Sequence, residues 1–260
     1  MGRWWIVRSA LSLVLTVLTL WGMPLAHAEE NPSGRVITLE TAYGTHFEAY
    51  AAGPEDATLA VLLLHDRFGM SPQLREWTER FAGLGYRALA IDLYDGRRAE
   101  KWKHATSIMK SIDPVWSEAN VAAGLNYLKP DERKVVMLGW DYGGTQALLA
   151  TLAAPAAVAA TVMYYPTALV TDQLHLQSIA KPVLVIVAER DEELGAEQIL
   201  AFKDGMSKTR VDFNVMGLDA PRAFMNPLSG RYDADAANTV WDVTQDFLAR
   251  YAAPAAPPAK

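Results

Sequence analysis

The sequence predicts an α/β domain: a mostly parallel central sheet with helices on both faces and an antiparallel pair of strands at its N-terminal edge. Three observations carry this. Short apolar runs such as 59–64 (LAVLLL) and 183–187 (VLVIV) suit strands buried on both faces, as parallel strands are. Between such runs lie stretches with apolar residues three or four apart, the pattern of helices packed by one side. A glycine-framed turn, Gly139-Trp140-Asp141-Tyr142-Gly143-Gly144, joins one such strand to one such helix.

In chain order, 35–39 and 46–51 alternate in character across Tyr43-Gly44-Thr45 and predict the antiparallel pair. The run 59–64 is the first buried strand. Leu74, Trp77, Phe81 and Leu84 mark a helix over 74–84 that stops at Gly85, before a strand at 87–91 (RALAI). Residues 99–112 and 116–128 read as helices, the second opening after Asp113-Pro114, because proline suits the first turn of a helix. A strand at 133–138 (RKVVML) enters the glycine turn, and a helix at 143–153 leaves it. Further strands are expected at 157–164, 183–187 and 211–215, and a last helix from about 233 to 251. Alternating strands and helices of this kind imply the parallel sheet covered on both sides. With 260 residues, 51% of them hydrophobic, one large core is expected and no internal repeat intervenes.

The N-terminus carries a different signal. Arg3 and Arg8 precede an apolar stretch at 10–22, and Ala26-His27-Ala28 follows as a small-x-small site. This predicts a secretory signal over 1–28, cleaved after Ala28; the apolar stretch falls short of the roughly 20 residues of a membrane span. The expected organisation is signal 1–28, linker 29–34, a single domain 35–251, and a Pro/Ala-rich tail 252–260 without fixed structure. The mature protein is expected in a periplasm or outside the cell, with no membrane attachment. Without Arg3 and Arg8 it carries 22 basic against 30 acidic residues, which argues against nucleic acid or an anionic bilayer as partner. The absence of cysteine excludes disulfides and a thiolate nucleophile. No metal-ligand spacing and no phosphate-binding glycine loop is present, so neither a metal nor a nucleotide cofactor is expected.

The turn GWDYGG has the form of a nucleophile elbow, in which a tight strand-to-helix turn projects one side chain. The neighbouring landmarks follow in a fixed order: His65-Asp66-Arg67-Phe68-Gly69 after a strand, Gly85-Tyr86-Arg87-Ala88 leading to Asp92-Leu93-Tyr94, the elbow, Tyr164-Tyr165-Pro166, Val187-Ala188-Glu189-Arg190-Asp191, and Arg222-Ala223-Phe224-Met225-Asn226-Pro227. Over roughly 35–250 the chain resembles the dienelactone hydrolases, a branch of the α/β-hydrolase fold. The resemblance implies hydrolysis of a small ester or lactone by a Cys–His–Asp triad. Matched position by position, the nucleophile is Asp141, the histidine is Arg222, the acid is Asp191, and the acidic residue that holds the resting cysteine is Asp66. The family's arginine after Asp-Leu-Tyr falls nearest Gly96 and Arg97, which makes Arg97 a candidate for binding an anionic ligand.

Two triad positions have therefore changed, and the chemistry must change with them. A guanidinium stays protonated and cannot take and return a proton. It suits carboxylates, so the expected arrangement is a chain in which Arg222 grips Asp141 on one side and Asp191 on the other. Such a pair is self-consistent, since losing one partner of a buried ion pair costs about 3–5 kcal/mol. The leading expectation is an exported hydrolase-like protein with impaired ester or lactone hydrolysis, acting by binding a small ligand or a protein partner. The rival is an active hydrolase with Asp141 as covalent nucleophile and His65 as the candidate base. In that rival the backbone N–H groups of Tyr142 and Arg67 form the oxyanion hole, with Asp66, Arg97 and Trp140 around the ligand. Glu192 and Glu193 are expected as plain surface charges.

Overall fold

The structure, a computed structural model, describes residues 34–129 and 133–253. The signal expected at 1–28, nearly all of the linker and most of the tail lie outside the described residues. Among the described residues, eight strands form one sheet: β1 (Arg35–Glu40), β2 (His46–Ala52), β3 (Leu59–Leu64), β4 (Arg87–Ile91), β5 (Lys134–Trp140), β6 (Val158–Tyr164), β7 (Val183–Arg190) and β8 (Phe213–Pro221). Their spatial order is β1-β2-β4-β3-β5-β6-β7-β8. β1 pairs antiparallel with β2, β2 pairs antiparallel with β4, and every other pairing is parallel.

The helices are α1 (Pro72–Gly83), α2 (Trp102–Ser111), α3 (Pro114–Leu128), α4 (Tyr142–Ala153), α5 (Gln173–Leu176), α6 (Ala196–Ser207) and α7 (Ala234–Tyr251). Alternation along the strands sends successive side chains to opposite faces. Val61, Leu63, Val136, Leu138, Val162 and Ile186 pack beneath α1 and α7 with Trp77, Phe81 and Val240. Their neighbours Leu62, Leu64, Val135 and Met137 face α2, α3 and α4, while Val183 and Val185 meet Phe202 and Met206 of α6. Both faces are thus covered, which is why the central strands read as unbroken apolar runs. None of the described helices is long and apolar enough to cross a membrane.

Several helix starts follow from local chemistry. Ser71 and Asp113 accept backbone N–H bonds as N-caps of α1 and α3, and proline stands in the first turn of each. Two helices, α5 and α6, were not expected from the pattern. Strand β8 starts two residues later than expected and continues to Pro221, while β5 and β7 also run further, to Trp140 and Arg190. These extensions carry the chain to the site, because Asp141, Asp191 and Arg222 are the residues that follow β5, β7 and β8.

Candidate functional site

Asp141 stands between β5 and α4 with φ 54° and ψ −114°, a backbone conformation that L-residues rarely adopt. The turn around it is crowded. The Gly143 N–H donates to the His65 carbonyl at 3.1 Å, and a Cβ added to Gly143 would lie 2.2 Å from the Leu64 carbonyl oxygen. At Gly139 an added Cβ would lie 2.1 Å from the Gly143 carbonyl oxygen. These two glycines are required by close backbone approach, and they force the Asp141 side chain toward the loops after β3 and β8.

There the carboxylate meets two arginines. Arg222, on the residue after β8, donates from Nη1 to Asp141 Oδ1 at 2.5 Å, and grips Asp191 from Nε to Oδ1 at 2.9 Å and from Nη2 to Oδ2 at 2.6 Å. Its two remaining donors reach the Tyr165 and Pro166 carbonyls at 2.8 and 3.0 Å. Arg67, in the loop after β3, approaches from the other side. It donates from Nε to Asp141 Oδ2 at 2.5 Å and from Nη2 to Oδ1 at 2.8 Å, and its backbone N–H adds a 3.2 Å bond to Oδ2. The rest of its fork holds Glu193 at 2.8 and 2.6 Å and Thr106 Oγ1 at 3.1 Å. Every N–H of both guanidiniums is therefore engaged, and Asp141 accepts four hydrogen bonds.

The network is buried. The Asp141, Arg67 and Arg222 side chains are 0%, 0% and 1% exposed and that of Asp191 3%, while Glu193 at 39% brings it to the surface. Burial alone would disfavour the charge on Arg67, but its bonds to Asp141 and Glu193 prevail and hold its pKa above the usual value. Burial likewise works against ionised Glu193, and the Arg67 guanidinium outweighs it, so this carboxyl titrates below its usual range. The Trp102 ring closes over the same group: the Arg67 Cζ lies 4.2 Å and the Arg231 Cζ 4.3 Å from its centroid.

The remaining expected residues take different places. His65 makes no hydrogen bond to Asp141 among the described residues. Its Nδ1 bonds the Asp66 carbonyl at 2.7 Å and its Nε2 accepts the Leu93 backbone N–H at 2.9 Å. A backbone amide can only donate, so Nε2 is the unprotonated nitrogen and both ring positions are engaged away from the elbow. Arg97 is exposed and bonds the Tyr94 carbonyl at 3.0 Å and Ser111 Oγ at 3.1 Å, stabilising its own turn rather than offering an anion site at the elbow. The Arg67 backbone N–H, expected in an oxyanion hole, points at the Asp141 carboxylate itself. Tyr142 is the first residue of α4, and its hydroxyl donates to Ser117 Oγ at 2.9 Å.

Asp66 accepts the Phe68 backbone N–H at 2.9 Å and the Asn226 amide at 2.5 Å. Its pKa is pushed up to about 6, by burial first and then by the nearby Asp141 charge, with the Asn226 and Phe68 bonds pulling back. Trp140 stacks on Tyr164 at 5.1 Å and lies 5.8 Å from Trp77. It lines a hollow beside Asp66 with about 20 Å³ of room. A far larger groove, about 1030 Å³, lies elsewhere, between the β1–β2 hairpin and the outer faces of α3 and α4.

The sequence reading missed the Arg67 side chain and Glu193. A signal was present: Arg67 directly follows the acidic landmark His65-Asp66, and Glu193 stands two residues beyond Asp191. Two buried carboxylates facing a single arginine leave the charge unbalanced, which calls for a second cation.

A mostly parallel sheet with a strained elbow after its fifth strand, and with acid and histidine positions after its seventh and eighth, defines an α/β-hydrolase. More narrowly, the chain belongs to the dienelactone hydrolase family, whose model matches residues 47–252. It is 27% identical over 222 residues to Protein usf of Aquifex pyrophilus, covering 80% of this chain and 95% of that one. Among solved structures it is similar to a dienelactone hydrolase-like promiscuous phosphotriesterase, P91, from metagenomic libraries, with TM-score 0.72, 22% identity, and coverage of 84% of this chain and 99% of that one. A dienelactone hydrolase from Anabaena variabilis aligns with TM-score 0.61 at 20% identity, over 85% and 98% of the two chains. The family supports a hydrolase-type fold and points to a small-molecule substrate.

Proposed function

We propose that this is an exported dienelactone hydrolase-like protein that has lost serine- or cysteine-type ester and lactone hydrolysis and works by binding a small ligand or a protein partner. The observation that carries the reading is the state of Asp141. It is wholly buried, accepts four hydrogen bonds, and is held by two arginines with no free donor. A carboxylate so neutralised is a poor nucleophile, and a guanidinium at the histidine position cannot activate water. His65 is engaged by the backbone on both nitrogens. The purified protein is expected to hydrolyse p-nitrophenyl acetate and small lactones no faster than its Asp141→Asn variant. Turnover that Asp141→Asn abolishes while the variant remains folded overturns the reading.

The preserved elbow favours a second reading, an active hydrolase with Asp141 as nucleophile. The positive φ of Asp141 is the strained geometry that exposes a nucleophile in this fold. Single-turnover reaction in oxygen-18 water would then place the label in the Asp141 carboxylate; an unlabelled Asp141 after turnover removes this reading. Export rests on the N-terminal pattern of Arg3, Arg8, the apolar stretch 10–22 and Ala26-His27-Ala28. Its check is the mass of the protein recovered from a periplasmic fraction, expected to correspond to a chain beginning at Glu29.

A further inference from the structure

Beside the ion network, a hollow of about 20 Å³ counts Asp66, Trp140 and Tyr165 among its lining residues. Trp140 Nε1 and the Tyr165 hydroxyl have no hydrogen-bond partner among the described residues, although the two residues are only 4% and 0% exposed. Leaving such donors unpaired in a protein interior costs about 1–3 kcal/mol each. The third group, the Asp66 carboxylate, accepts from Phe68 and Asn226 and retains lone pairs for further donors.

We propose that this hollow is a binding site for a single water molecule, held by Trp140 Nε1–H, the Tyr165 hydroxyl and the Asp66 carboxylate. The volume suits it, since one water needs roughly 10–15 Å³ of such room and two or more polar partners. The chemistry of the lining selects the occupant. An indole N–H requires an acceptor, which excludes ammonium. The Asp66 carboxylate repels a halide or hydroxide. A neutral molecule of one heavy atom that both accepts and donates satisfies all three groups. The water accepts from Trp140 and donates to Asp66, giving the carboxylate a third hydrogen bond and favouring its ionised form. The Tyr165 hydroxyl offers the third polar group. Of the rest of the lining, Leu74, Trp77 and Met225 are apolar, while the polar Ser71, Gln73 and Asn226 side chains are engaged with Leu74, Met225 and Asp66.

The test uses the whole purified protein, whether or not it turns over esters, so its outcome is separate from that of the proposed function. Nuclear Overhauser contacts from water to the Trp140 indole N–H report a resident molecule, and carbon-13 titration of the Asp66 carboxyl reports its donor. The expected results are a long-lived water contact at Trp140 in the native protein, its loss in Tyr165→Phe, and an upward move of the Asp66 midpoint in that variant. The Trp140 resonance serves as the control that Tyr165→Phe is folded. If the native protein shows no water contact at Trp140, or if Tyr165→Phe leaves both readouts unchanged, the site is not a water site.

Discussion

Asp141 is held by charge on two sides, and this determines what each substitution does. Removing one member of a buried pair leaves its partners charged and unpaired, at a cost of about 3–5 kcal/mol. Asp141→Asn is therefore expected to lower unfolding stability by that amount in urea titrations. Glu193→Gln, whose side chain is 39% exposed, should cost about 1 kcal/mol or less. Asp141→Ala leaves Arg67 and Arg222 facing a space the size of a small carboxylate, so formate is expected to recover part of the lost melting temperature where chloride at equal ionic strength does not. Asp66 makes a prediction of opposite sign. Its carboxyl is raised from 3.8 to about 6, so the folded state holds this proton more tightly than the unfolded state does. Its contribution is greatest below pH 3.8 and falls as pH rises through 6, by about 3 kcal/mol in all. The Asp66 carboxyl carbon followed by NMR should titrate near 6, and a midpoint near 4 would contradict the burial argument.

At the level of elements, the elbow is the least tolerant segment. Gly143 lies so close to the end of β3 that a methyl group there would meet the Leu64 carbonyl at 2.2 Å and the His65 carbonyl at 2.5 Å. Both are backbone atoms of a central strand and the loop leaving it, and neither can move aside. Gly143→Ala is expected to cost about 3 kcal/mol or more, read as a fall in melting temperature and in soluble yield. The same helix start shows why the elbow was legible from sequence while some later elements were not. Glycines are required wherever backbones touch, whatever the side-chain chemistry. Helix α6 buries only Phe202, Gly205 and Met206 and leaves Leu200 63% exposed, so its apolar spacing is diluted. Strand β8 was expected over 211–215, but its continuation to Pro221 was hidden, because it lies at the sheet edge and Gly217 and Asp219 break the apolar run that marks the central strands.

On the scale of the whole molecule, the ion network ties together the loops that follow β3, β5, β7 and β8, the end of the sheet at which α/β folds bind their ligands. The same contacts that stabilise this end occupy it. Replacing Asp141 by Cys and Arg222 by His together removes the central anion and one cation while leaving Arg67 paired to Glu193. A cation that near a thiol favours the thiolate. The double variant is expected to gain lactone hydrolysis above the native protein, measured with a small activated lactone. Failure of the folded double variant to do so would show that the surrounding loops no longer admit a substrate.

The succession of most strands and helices, the two-faced core and the elbow were written in the sequence, because they depend on local patterns: unbroken apolar runs, helical spacing, and glycines where backbones converge. The exchange of a thiol and an imidazole for Asp141 and Arg222 was legible as well, since it needs only position along the chain. Tertiary structure decided which cation shares Asp141, how deeply the charges are buried, and that His65 faces the backbone instead of the elbow. Those outcomes depend on loops distant in sequence arriving within hydrogen-bonding distance. Residues 67 and 141 have no local pattern that records their meeting, whereas that of Asp141 and Arg222 was expected from the resemblance and is present.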